Sequence, residues 1–170
     1  MPRRTGRQNR LTSQVGEYLV VAELARRGLI ATTFAGNVPE YDVIATDERG
    51  KHVAIQVKAT RSQGWQFDIS RFCKVTIRGR RQILGRSYRS PIHNLIVILV
   101  HLATTQKSRD RFYILPWSAL RDLLVSGHRE WLRAHNGIRP NNPESTHSAL
   151  HFNRVEAFAN KWRNVNEFLH

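Results

Sequence analysis

A single cysteine, Cys73, serves the whole 170-residue chain. That excludes an intrachain disulfide framework and a thiolate zinc site within one copy, and it leaves Cys73 as a small buried hydrophobe in a reducing compartment. Long apolar runs are missing as well. No stretch reaches the ~20 residues that a membrane-spanning helix needs, and the N-terminus carries no secretory apolar region, so a cytoplasmic protein without a membrane partner is expected. Neither a glycine-rich phosphate loop nor a nucleophilic serine motif is present, which disfavours P-loop nucleotide hydrolysis and acyl-enzyme chemistry. Internal repeats and low-complexity tracts are absent too.

Acidic residues are scarce: thirteen Asp and Glu stand against twenty-seven Lys and Arg, for a formal charge of +14. Self-repulsion on that scale is relieved by a polyanion, and nucleic acid is the obvious partner. Residues 69–109 hold no acidic side chain, while Arg71, Lys74, Arg78, Arg80, Arg81, Arg86 and Arg89 crowd the first half of that stretch. Gly79 and Gly85 there allow close backbone approach, so the segment reads as a phosphate-binding face suited to duplex DNA. Arg3, Arg4, Arg7 and Arg10 lie in residues 1–12, read as a flexible basic arm that contacts phosphates without specifying sequence.

What is present suffices for one core. Hydrophobic residues make up 41% of the chain and include four tryptophans, which fits a single domain over residues 13–170. A helix is predicted over 13–27, with Thr12 or Ser13 able to cap its start and Gly28 just past its end. Val20, Val21 and Leu24 form its apolar stripe. Glu17 sits on that stripe as an inward-facing carboxylate, and Glu23 is the second candidate for a helical acid. Strands are predicted over 29–34, 41–46 and 51–60, the last two joined by the turn Asp47-Glu48-Arg49-Gly50. Within 51–60, Val53, Ile55 and Val57 alternate with Ala54, Gln56 and Lys58, so Gln56 and Lys58 share one face.

Further strands are predicted over 65–69, 95–102 and 111–115, and the unbroken apolar run 95–102 marks a central strand covered on both faces. A short helix over 119–125 stops near Gly127, and a Pro/Asn-rich loop spans 137–145. A C-terminal helical extension from Asn153 buries Val155, Phe158, Trp162, Val165 and Leu169 on one face. His147 and His151 are four apart and would share a helical face, but with no third ligand they are not read as a metal site. The sum is a layered α/β fold.

Hydrolysing a phosphodiester near neutral pH requires charge neutralisation and a hydroxide, which hard divalent cations held by oxygen ligands provide. Hairpin pairing brings Asp42, at the start of a strand, to the edge where Gln56 and Lys58 lie, and Glu17 on the inward helix face can reach the same edge. The segments Gly16-Glu17, Pro39-Glu40-Tyr41-Asp42 and Ile55-Gln56-Val57-Lys58, followed by the strand-to-helix segment 112–117, resemble the PD-(D/E)XK nuclease superfamily. Their Q-x-K form is similar to that of a homing endonuclease branch and of small endonuclease-like proteins, and the match is strongest over the first sixty residues.

The resemblance implies a restriction-endonuclease-like α/β fold with a mixed central sheet flanked by helices. It implies a metal-dependent endonuclease that cuts double-stranded or branched DNA as a homo-oligomer. By the same resemblance Asp42, Gln56 and the Val57 backbone carbonyl bind Mg2+, with Mn2+ able to substitute. Lys58 orients or deprotonates the attacking water, and Glu17 holds an ordered water or a second cation. Gln56 stands where the family usually has an acid; a neutral carbonyl oxygen weakens the site unless Glu17 compensates. The alternatives are a DNA-binding protein of the same fold that has lost catalysis, and a protein that binds or cleaves RNA.

Overall fold

The apolar run in the middle of the chain organises everything around it. The computed structural model describes residues 6–34 and 38–169. Its elements run α1 (Gly6–Ala25), β1 (Ile30–Thr33), β2 (Val43–Thr46), β3 (His52–Thr60), β4 (Gly64–Asp68), β5 (Cys73–Arg78), β6 (Arg81–Ser87), β7 (Ile96–His101), β8 (Arg111–Pro116), α2 (Trp117–Ala134), β9 (His147–His151) and α3 (Arg163–Glu167). Five strands form one sheet in the order β1-β2-β3-β7-β8. All neighbours are antiparallel except β3 and β7, which run parallel with Gln56 opposite Val97 and Lys58 opposite Leu99.

Because both faces of β7 are apolar, the sheet has a core on each side. One face packs Ile55, Ile96, Ile98 and Ile114 under Val20 and Leu24 of α1, with Trp162 and Val165 from the C-terminal segment. The other packs Leu99, Tyr113 and Leu115 under Leu120 and Leu124 of α2 and under Trp65 and Phe67 of the ribbon β4–β9. Each such side chain, fully buried, contributes about 1.5–3 kcal/mol. The result is a mixed central sheet flanked by helices, as the resemblance implies. Among the described residues no helix is long and apolar enough to cross a membrane.

Several boundaries differ from the expectation. Helix α1 starts at Gly6, so Thr12 and Ser13 lie inside it and do not cap it, and Arg7 and Arg10 ride on a helix that the pattern read as an arm. Arg3 and Arg4 lie outside the described residues. Helix α2 runs straight through Gly127 to Ala134. One interior glycine costs only about 1 kcal/mol, and the buried positions Leu120, Leu124, His128 and Leu132 outweigh it. The helix stops instead at Asn136 and Gly137, with φ of 53° and 77°.

The C-terminal extension is not one helix. It breaks into single turns at Phe152–Arg154 and Glu156–Phe158 before α3. The break lies at Ala159, which is extended, and Asn160, at φ 53°; the Asn160 N–H bonds the Phe112 carbonyl and Ala159 bridges to Tyr113. Tertiary pairing thus wins over helical periodicity and sends Val155 and Trp162 to opposite cores. His147 and His151 belong to a strand, not a helix, and both lie on its exposed face.

Candidate active site

The strand carrying Gln56 and Lys58 outlasts its partner. Strand β2 pairs with β3 only as far as Val43 opposite Ile55, and the Asp42 N–H makes one more bond to the Ile55 carbonyl at 2.9 Å. Beyond that point the Val57 N–H has no strand to meet, and it donates instead to Asp42 Oδ2 at 2.7 Å. Extending the register by one residue sets Asp42 opposite Gln56. Since N–H and C=O of one residue in a strand point to the same side, the Val57 carbonyl is also turned toward Asp42. The turn beyond is fixed by Asp47, whose Oδ1 accepts from the Arg49 and Lys51 N–H groups at 3.0 and 2.9 Å.

Helix α1 reaches this strand end by close approach. A Cβ on Gly16 would stand 2.5 Å from Ala59 Cβ and 3.6 Å from Val57 Cγ1, so only glycine lets the helix lie this near β3. That contact places Glu17 beside Asp42. Burial pushes the Glu17 carboxyl above its ordinary range and the Asp42 charge pushes it further. Burial also raises Asp42, against the lowering effects of the Val57 N–H and Lys58. Neither carboxylate forms an ion pair among the described residues. Glu23, the second candidate acid, faces away and pairs with Arg26 and Arg27, both at 2.6 Å.

Gln56 and Lys58 point to the opposite side of β3, into a cleft of about 380 Å³ that Glu40, Asp68, Arg71 and Arg89 also line. The Lys58 ammonium lies 5.1 Å from the centre of the Phe67 ring. Burial lowers its pKa, the Arg71 charge lowers it further, and Asp42 opposes both. Neither Lys58 nor Gln56 makes a side-chain hydrogen bond among the described residues. Lys58 also borders a second hollow of about 510 Å³, lined by Asn9, Thr12 and Ser13 of α1 and by Ser62 and Gln66. The lysine is therefore the divide between two concavities.

Electrostatics joins three of the four proposed residues at this end of β3, Glu17 to Asp42 and Asp42 to Lys58, while Gln56 lines the cleft with Lys58. The oxygen donors available are two half-buried carboxylates, one amide and one backbone carbonyl, a hard set that suits Mg2+ or Mn2+. Burial raises both carboxyls and the Asp42 charge raises Glu17 further, an unfavourable placement that a divalent cation would relieve. No group of three His, Cys, Asp or Glu side chains able to hold a metal forms among the described residues, so the set depends on its neutral oxygens.

The basic residues divide into two places. Arg71 and Arg89 rim the cleft, whereas Lys74, Arg78, Arg80, Arg81 and Arg86 are exposed along the β5–β6 hairpin. Gly79 opens its two-residue turn at φ 60°, the conformation that a glycine-first hairpin turn uses. Gln82 anchors the hairpin: its Nε2 donates to the Pro143 and Ser145 carbonyls at 2.6 and 2.8 Å, and its Oε1 lies 3.1 Å from His128 Nε2.

Sequence reasoning did not single out Glu40, Asp68, Phe67 or Tyr88, all of which line the cleft. One signal was available for Glu40, which stands two residues before Asp42; it adopts φ 76° and faces Arg71 at 3.4 Å. The others arrive from β4 and the β6–β7 connection, which no local pattern ties to β3.

No family model matches the chain, and no curated protein matches it. Among solved structures it is similar to a bacterial homing endonuclease, I-Ssp6803I, at TM-score 0.42 and 15% identity over 66% of this chain and 72% of that one. It is also similar to Hjc, a Holliday junction resolvase from Archaeoglobus fulgidus, at TM-score 0.43 and 13% identity over 85% of this chain and 88% of that one.

Proposed function

We propose that the protein hydrolyses phosphodiester bonds in DNA at the end of β3, with the help of a divalent cation. The observation that carries this reading is Asp42, locked to the Val57 N–H, within electrostatic reach of a half-buried Lys58 that has no hydrogen-bond partner among the described residues, at the edge of a cleft with a cationic rim. A buried ammonium without an acceptor is costly unless a ligand supplies one, and a phosphate oxygen is the fitting acceptor. The +14 surface makes DNA the matching polyanion.

Asp42, Gln56 and the Val57 carbonyl would hold Mg2+, or Mn2+ in its place, with Glu17 adding the charge that Gln56 lacks. When bound, the ion neutralises charge on the phosphate and acidifies a water. As an ammonium Lys58 would donate to a non-bridging phosphate oxygen; in its neutral form, which its lowered proton affinity favours, it would instead accept a proton from the attacking water. In the reaction the water oxygen bonds to phosphorus, one ester P–O bond breaks, and the departing oxygen takes up a proton. Two copies acting together would cut both strands.

A second reading, a DNA-binding protein without catalysis, draws on Gln56 itself, whose neutral oxygen replaces a carboxylate in the donor set. Incubating the protein with supercoiled and branched DNA, with and without Mg2+ or Mn2+, separates the two. Cleavage that requires metal and disappears in Asp42→Ala and Lys58→Ala supports the enzyme. Salt-dependent binding without cleavage, equal in wild type and both variants, supports the second reading. The same assay with RNA of equal length tests the deoxyribose preference.

A further inference from the structure

The cleft beside Lys58 is more aromatic than a phosphate backbone requires. Phosphate contacts need only cations and N–H donors on a surface, yet this concavity of about 380 Å³ also has Phe67, Phe72, Trp117 and Tyr88 in its wall. Three of these rings are already engaged. Phe67 faces the Lys58 ammonium, while Phe72 and Trp117 stack on one another at 5.3 Å and 22°. Tyr88 differs: it is 43% exposed and has no ring partner and no side-chain hydrogen bond among the described residues.

Its backbone is nevertheless fixed on both sides. The Tyr88 N–H donates to the Phe72 carbonyl at 2.8 Å, and its own carbonyl accepts from Arg121 Nη1 at 2.9 Å. With its backbone pinned and only two side-chain torsions left to order, this exposed ring is suited to act as a stacking platform.

The polar groups of the cleft point the same way. Glu40, which faces Arg71 at 3.4 Å, and Asp68, whose Oδ1 accepts from Ser70, would repel a second phosphate, but a remaining carboxylate oxygen can accept from the amino group of a base. The Gln56 amide nitrogen, left over when its oxygen serves the ion, can donate. Arg71 and Arg89 at the rim fit the phosphates on either side of such a base.

On this basis, and resting on the nuclease reading above, we infer that the cleft receives one unstacked nucleotide of DNA against Tyr88, next to the phosphate held by Lys58. The protein therefore selects DNA that is locally open, such as a bulge or a branch point, over a perfect duplex. An open site has already lost the stacking that a duplex would have to give up on entry.

Binding measured in Ca2+ with two otherwise identical duplexes, one perfect and one carrying a single unpaired nucleotide, tests the inference without requiring cleavage. Stacking on an aromatic platform changes affinity by roughly five- to a hundredfold. The expected result is binding of the bulged duplex at least about tenfold tighter, a preference that falls toward one in Tyr88→Ala and survives in Tyr88→Phe. Equal affinity for both duplexes in the wild type, or a preference that Tyr88→Ala leaves intact, overturns it. The nuclease reading is judged separately by cleavage in Mg2+. Cleavage with no bulge preference removes this inference alone, and a Tyr88-dependent preference without cleavage leaves it standing as a binding property.

Discussion

The Val57 N–H donates to Asp42 Oδ2 at 2.7 Å across the gap where β2 ends and β3 continues. One carboxylate thus closes the backbone of the sheet with one oxygen and leaves the other for chemistry. Asp42→Asn keeps an acceptor for Val57 but removes the charge. It should melt within a few degrees of wild type while Mn2+ binding and cleavage are lost. Asp42→Ala removes both and leaves a half-buried donor unmet, at a cost of about 1–3 kcal/mol, or roughly 2–9 °C for a chain of this size. Thermal melts read beside calorimetric metal titration check the split; equal melting of the two variants would contradict it.

Gly16 offers a test of how the helical acid is placed. An added Cβ would sit 2.5 Å from Ala59 Cβ, so Gly16→Ala must push α1 away from β3. The overpacking costs about 1–3 kcal/mol, more than the better helix propensity of alanine returns, and it carries Glu17 away from Asp42. Ala59→Gly in the same chain opens the missing space and should recover part of both stability and cleavage. A double-mutant cycle measures the coupling; strict additivity would show that the close approach is not what positions Glu17.

Much of the site was legible because its parts are local. Gln56 and Lys58 share a face through the period of two in β3, the turn at Asp47 sets the pairing, and the inward position of Glu17 follows from the stripe on α1. What escaped was set by partners far along the chain. Strand β9 takes His147 and His151 because β4 pairs with it, a match that no local period announces. The stretch 69–109 revealed its charge but not the β5–β6 hairpin that spaces it, since arginines mask strand alternation. The C-terminal stripe had helical spacing, and pairing of its backbone with β8 overrode it.

His128 gives the stability a pH dependence. It is buried in α2 against Gln82 Oε1, and burial lowers its pKa from 6.5 to about 4, with the Arg139 charge adding to the effect. The folded protein therefore binds fewer protons here than the unfolded chain does. The stabilising contribution is complete above the ordinary value of 6.5 and is lost as pH falls from there toward about 4. Its size is on the order of 3 kcal/mol. Urea denaturation at a series of pH values should show this loss, and His128→Asn should flatten it. An unchanged slope in the variant would assign the acid sensitivity elsewhere.

The hairpin arginines should control affinity more than selectivity. Arg78, Arg80 and Arg81 are exposed at the β5–β6 turn, the end of the hairpin opposite the one that leads to Tyr88. Every arginine that ceases to neutralise a phosphate lowers the slope of log affinity against log salt by about 0.9. Replacing all three with alanine should weaken binding to every duplex alike and reduce that slope by two to three such steps. Binding titrations at several salt concentrations measure it. An unaltered slope would place the DNA on another face.

Under the proposed function Gln56 is the weakest member of the donor set, because it brings an amide where the resemblance expects an acid. Gln56→Glu adds a third carboxylate to Asp42 and Glu17, on the same face of β3 as Lys58. Its added charge should tighten Mn2+ binding by about tenfold or more. Binding should also become more dependent on pH, since Glu17 already holds its proton above the ordinary carboxylate range and a further negative neighbour raises it again. Affinity for the ion then rises with pH as these carboxyls ionise, and protons are released on binding. Calorimetry in buffers of different ionisation enthalpy counts those protons. If Mn2+ affinity is the same with glutamine and glutamate, position 56 does not touch the ion, and the donor set centred on Asp42 must be drawn without it.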